Sequence, residues 1–139
     1  MKRDLRYRWK DCQHTLAERT LENLGLAFEI DFYEGVLDKD PTHVEALIAL
    51  GELYTQAGRL HEGLAVDRKL IKLFPYDPTV HYNLACSLAL LSLDDEAIDT
   101  LRKAVNLGYE DFEHLQNDGD LDNIRSHPKF IELLLNARK

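Results

Sequence analysis

Asp118, Asp120 and Asp122 alternate along the chain as the oxygen ligands of a calcium loop do. Such a loop also needs a glycine for its sharp bend and a bidentate glutamate further on, and Asn123 and Lys129 stand at those places. The three acids are therefore expected to cap short helices at a solvated turn. Cys86 and His81 are the nearest approach to a thiol with its base, but a separation of five residues on one helix points them to different faces. His81 reads instead as a core residue. His14, His43, His61, His114 and His127 show no ligand spacing on a shared helix face and no cysteine nearby in sequence. A glycine-rich phosphate loop and a Gly-x-Ser-x-Gly elbow are both absent from the sequence. These residues point to a non-enzymatic chain with no metal and no cofactor.

Charge narrows the partners. The chain has 139 residues, with Lys and Arg numbering 17 against 25 Asp and Glu. Lys2, Arg3, Arg6, Arg8 and Lys10 crowd the start beside Asp4, which leaves 12 basic against 24 acidic side chains elsewhere. Duplex binding is driven largely by cationic neutralisation of phosphates, so nucleic acid is not expected at the acidic body. The basic start, with Tyr7 and Trp9 interleaved, has the makings of a tether to anionic lipid or nucleic acid, and a solvated flexible tail over residues 1–14 is the favoured reading. No apolar stretch follows it, which speaks against a secretory signal. The apolar runs fall far short of the roughly 20 residues a membrane span needs. Cys12 and Cys86 sit in unlike surroundings and are expected to be thiols, in keeping with a cytoplasmic location.

What positions these residues is helical. Leu50, Gly51 and Tyr54 return 34 residues later as Leu84, Ala85 and Leu88, and Pro41 returns as Pro75. A period of that length means stacked helix pairs, A and B, joined by short turns. In helix A of the unit 44–77, Leu47, Leu50, Gly51 and Tyr54 fall on one face. In helix B the stripe is Leu60, Leu64, Leu70 and Ile71, and in the next unit, 78–111, it is Ala97, Leu101, Ala104 and Val105. The small residues Gly51 and Ala85 mark where two helices approach closely. Thr42 with Glu45, and Ser92 with Asp95, read as capping pairs, while Asp77 followed by Pro78 reads as a cap and a first-turn proline. Gly58 and Gly108 are placed to end helices in a left-handed turn. Upstream, a single long helix over residues 15–37 is favoured over a helix pair, because only Gly25 supports a turn there. Downstream, short helices near 111–116 and 118–123 precede a last amphipathic helix opened by Pro128 and carrying Phe130, Ile131, Leu133 and Leu134.

Leu47, Leu50, Gly51, Tyr54, Ala97, Pro41 and Pro75 together resemble the signature of the tetratricopeptide repeat family over about residues 26–111. The segment from Gly108 and Tyr109 through Asp120, Leu121 and Phe130 resembles the degenerate closing unit common in that family. The resemblance implies an all-α, right-handed antiparallel helix-turn-helix solenoid of about seven helices, with a degenerate unit at 15–43, repeats at 44–77 and 78–111, and a capping segment at 112–139. It also implies a scaffold that binds a peptide or helix of a partner in the groove lined by helices A. The matching positions are Glu45, Ile48, Glu52 and Thr55, then Tyr82, Asn83, Cys86 and Ala89. Members that clamp a terminal carboxylate use Lys, Asn and Arg there, and only Asn83 fits. An acidic and apolar lining suits a partner carrying basic and apolar residues, with Tyr82 as its anchor. Two alternatives stand beside this one: a structural helical module whose groove is filled by its own terminal segment, and a membrane or nucleic-acid tether working through the basic start. Asp67 occupies a place where the family has an aromatic core residue. It is expected to be buried against Tyr82, His81 or Tyr54.

Overall fold

The computed structural model describes residues 16–137, so the basic segment 1–14 and Cys12 lie outside the described residues. Every regular element among them is helical: α1 (Leu16–Lys39), α2 (Val44–Gln56), α3 (Leu60–Leu73), α4 (Pro78–Leu90), α5 (Asp94–Asn106), α6 (Phe112–Asn117), a 3₁₀ helix (Gly119–Ile124) and α7 (Pro128–Ala137). Successive helices from α1 to α5 pack each on the next, and α4 also packs on the 3₁₀ helix. This is an all-α, tetratricopeptide-like solenoid. No described helix is long and apolar enough to cross a membrane.

The turns show why the chain folds back where it does. Gly58, at φ 75°, closes α2: Arg59 N–H donates to the Tyr54 carbonyl at 2.8 Å and Gly58 N–H to that of Thr55 at 3.2 Å. Gly108, at φ 110°, closes α5 with the same two bonds, to Ala104 and Val105. Ser92 does so for α4 at φ 59°, its N–H donating to Ala89 while Leu93 N–H donates to Leu88. Ser92 is thus a helix-closing residue, and the expected Ser92 and Asp95 cap does not form: the residue before α5 is Leu93, with no side-chain cap. At α2 the cap is His43, whose Nδ1 accepts from Ala46 N–H at 3.2 Å. Thr42 turns back to Asp40 instead, because that carboxylate accepts both its N–H and its hydroxyl. Asp77 caps α4 as the sequence indicates, accepting from Thr79 and Val80.

No turn of this kind forms at Gly25, and α1 runs unbroken for 24 residues. One glycine among good helix formers costs only about 1 kcal/mol, too little to stop a helix. The core divides in two. Ile30 of α1 meets Leu47, Leu50, Leu53, Tyr54, Val66 and Leu70 of α2 and α3. The second part joins α4 and α5 to the C-terminal segment through Leu84, Leu88, Ile98, Leu101, Leu121, Ile124 and Phe130. The close crossing falls at Gly51, where a Cβ would stand 3.4 Å from Asp67 Oδ1 and 3.8 Å from Val66 Cγ1. Gly63 faces it from α3, its own added Cβ lying 3.6 Å from Thr55 Oγ1.

Candidate functional site

The eight residues of the expected groove separate into an open and a covered set. Glu45 and Ile48 project from α2 into solvent, Ile48 with 47% of its surface free, and Glu52 is half-buried. Thr55 is buried, its hydroxyl donating to the Gly51 carbonyl at 2.9 Å. On α4, Asn83 is half-buried, while Tyr82, Cys86 and Ala89 are closed to solvent, Tyr82 keeping only 2% of its surface. The C-terminal segment covers them. Tyr82 stacks on Tyr109 with centroids 4.3 Å apart and donates its hydroxyl to Asp118 Oδ2 at 2.6 Å. Asn123 donates to the Ala89 carbonyl at 2.9 Å. A ligand has no access to Tyr82 in this conformation, because its anchor site is taken by the chain itself.

Around Asp118 the structure builds a buried polar network that the sequence order hides. Cys86 Sγ lies 3.7 Å and His114 Nε2 3.3 Å from Asp118 Oδ2, and Asp118 Oδ1 accepts from Asp120 N–H at 3.0 Å. Asp118 does cap a short helix, but it and Asp120 are buried, so the expected solvated turn holds only for Asp122, which pairs with Arg125. Arg125 also donates to the carbonyl oxygens of Gln116 and Asp118, closing the end of α6. Cys86 and one oxygen each of Asp118 and Asp120 lie within 4.8 Å of one another, the donor set among the described residues nearest to that of a metal site. Sequence spacing missed the group because α4 supplies the thiol and a segment more than thirty residues later the acids. Burial above all, then Cys86 and the bond to Asp118, pushes the Tyr82 hydroxyl well above the ordinary tyrosine range. Tyr109 is pushed up to about 12, by burial first and by the charge of Asp111 next.

Asp67, expected against Tyr82, His81 or Tyr54, is buried as foreseen, but it accepts from the Ser87 hydroxyl. His81 is also buried and donates from Nε2 to the Pro75 carbonyl at 2.7 Å, while Tyr54 donates to Glu34 of α1 at 2.7 Å. The register explains the exchange: Asp67 meets α4 one turn beyond Asn83, where Ser87 lies. Beside the open face of α2, Glu29 and Tyr33 of α1 join Ala49, Glu52, Leu53 and Gln56 around a cleft of about 320 Å³. Of its lining only Glu52 was among the expected positions, because Glu29 and Tyr33 come from the preceding helix α1.

The helix pair α2 and α3, with the start of α4, coincides with a match to the family model described as tetratricopeptide repeat, over residues 44–85. The chain carries tetratricopeptide repeats. It is 30% identical over 122 residues to a peroxisomal targeting signal receptor of Komagataella phaffii, which takes in 84% of this chain and 20% of that protein. A peroxisomal targeting signal receptor of Candida albicans is 28% identical over 110 residues, covering 76% of this chain and 19% of that one. The chain thus spans about a fifth of the length of the relatives it matches. In tetratricopeptide terms, α2 and α3 are helices A and B of one repeat, α4 and α5 of the next, and α1 a helix B that precedes them. Gly119 falls 34 residues after Ala85, where a further helix A is broken into α6 and the 3₁₀ helix.

Proposed function

We propose that this tetratricopeptide repeat chain is a non-enzymatic protein-interaction module that binds an extended or helical peptide across the open face of α2. The observation that carries this reading is the acidic and apolar surface formed by Glu45, Ile48 and Glu52 next to the cleft holding Glu29 and Tyr33. Such a surface favours Lys or Arg beside an apolar anchor, charge selecting the partner and apolar burial holding it. The similarity to receptors named for a targeting signal supports a peptide as the ligand class. A cytoplasmic location belongs to the same proposal, supported by the buried Cys86 thiol.

The test is a titration of fluorescent peptides of equal length and equal apolar content that differ only in carrying Lys and Arg or Asp and Glu. The basic set is expected to bind, and Glu52→Lys and Ile48→Ala, each verified by circular dichroism to be folded, are each expected to weaken it about tenfold, which corresponds to about 1.4 kcal/mol. Equal binding of both sets, or no loss in either variant, refutes the site. A second reading, the structural module with a self-filled groove, draws support from the bond between Tyr82 and Asp118, and under it the chain offers no peptide site on either helix. It predicts that no peptide of either set binds the intact chain while the fold remains sound.

A further inference from the structure

One face of α1 is apolar and exposed: Leu21, Leu24, Phe28 and Phe32 lie at i, i+3, i+7 and i+11, each with 60% to 74% of its surface free. The opposite face, with Leu26, Ile30, Tyr33 and Leu37, packs on α2 and its neighbours, so the bare stripe is not the core side of the helix. The repeat register says what is missing from it. Phe32 stands one 34-residue period before Val66, the α3 residue beside Gly51, and Ala17 stands one period before Gly51 itself. Residues 16–22 therefore carry the register of a helix A and residues 26–39 that of its helix B. In the next repeat, these two fold back on each other at Gly58. In α1 they are fused into one unbroken helix, and a helix A cannot cover a helix B of which it is the direct continuation.

We propose that a second copy of the chain supplies the cover, the two α1 helices pairing antiparallel about a two-fold axis near Leu24 and Gly25. The turn of the α2 and α3 pair sets the alignment: the chain reverses there at Gly58 and Arg59, which stand one period after Leu24 and Gly25. The same antiparallel alignment sets Leu21 opposite Phe28 and Leu24 opposite Gly25, so the stripe is complementary to its own reversed copy, as a two-fold interface requires. Gly25 has no atom within 4 Å of the position of an added Cβ, which leaves its side of the helix clear for a close approach. From side chains of about 150–250 Å² for the aromatics and somewhat less for leucine, the exposed fractions amount to on the order of 500 Å² per copy. The total, about 1,000 Å², lies at the lower end of specific interfaces. Dissociation is therefore expected within reach of ordinary dilution.

The association is tested on the full chain by sedimentation velocity over a hundredfold range of concentration, with Leu24→Glu and Phe28→Glu as variants whose helicity is checked by circular dichroism. A concentration-dependent dimer that each substitution converts to monomer supports the pairing. A monomer throughout, as when residues 1–15 of the same copy cover the stripe, overturns it, and so does a dimer indifferent to both substitutions. Orientation is read separately, in a Cys12→Ser background, by mixing a Leu21→Cys copy with a Phe28→Cys copy of different mass under mild oxidation. The mixed disulfide is expected to dominate over both like pairs. Predominance of like pairs means a parallel arrangement and overturns the antiparallel assignment.

Discussion

Ser92 does the work of a glycine at φ 59°, where its Cβ crowds the backbone. Gly58 does the same work one repeat earlier without that strain. Ser92→Gly is expected to raise stability by about 0.5–1 kcal/mol, the strain relieved outweighing the added freedom of the unfolded chain, and urea denaturation measures it. Ser87→Ala acts the other way. It removes the hydroxyl that donates to buried Asp67 and is expected to cost about 1–3 kcal/mol in the same assay. The burial of Asp67 was legible in the sequence because register alone places it between α3 and α4. Its partner was not, since choosing among hydroxyls on a facing helix depends on a rotation of the helix by a fraction of a turn.

Helix pairing rests on contact between backbones as much as on side chains. At Gly51 an added Cβ would meet Asp67 Oδ1 at 3.4 Å and Val66 Cγ1 at 3.8 Å, so Gly51→Leu is expected to cost about 1–3 kcal/mol or more, read as a lowered thermal midpoint. Gly35 is the contrast, exposed in mid-helix with no atom within 4 Å of an added Cβ. Gly35→Ala is expected to raise the midpoint, with a gain of up to about 1 kcal/mol. The 34-residue period made the small residue of helix A visible, and the want of any turn signal besides Gly25 pointed to the unbroken α1. Gly63, the counterpart of that small residue on α3, stands one period before Ala97, and His43, the true cap of α2, one period before Asp77; both escaped notice because glycine in a helix interior and histidine at a cap are not the residue types that usually fill those places. The residues expected to line a groove from α4 do lie on that helix. What covers them was hidden because α6 and the 3₁₀ helix are too short and irregular to give a periodic signal, and their seat beside Tyr82 depends on how a distant segment packs.

At the scale of the whole molecule, two core groups share one stack, and the phenols of Tyr82 and Tyr109 sit where the second of them is closed. Both are held above the ordinary tyrosine value of 10.0, Tyr109 to about 12. A tyrosine with a raised folded-state pKa keeps its full contribution to stability below the unfolded value and loses it as pH climbs toward the folded one. Stability is thus expected to hold up to about pH 10 and to fall between there and pH 12. Tyr54 of α2, raised by burial and by its bond to Glu34, brings the same alkaline loss to the other half of the stack, so hydrogen exchange is expected to show protection falling in both. Tyr82→Phe, which has no proton to lose there, is expected to flatten the alkaline decline while lowering stability at neutral pH through the lost bond to Asp118. The bond between Tyr82 and Asp118 has a kinetic meaning as well. A segment tied to the chain by a few residues competes for its seat at an effective concentration of the order of millimolar, whatever the dilution of the protein. Any outside molecule that reaches the covered face of α4 meets a rival that never diffuses away, and its apparent affinity is scaled down by the fraction of time the segment is detached.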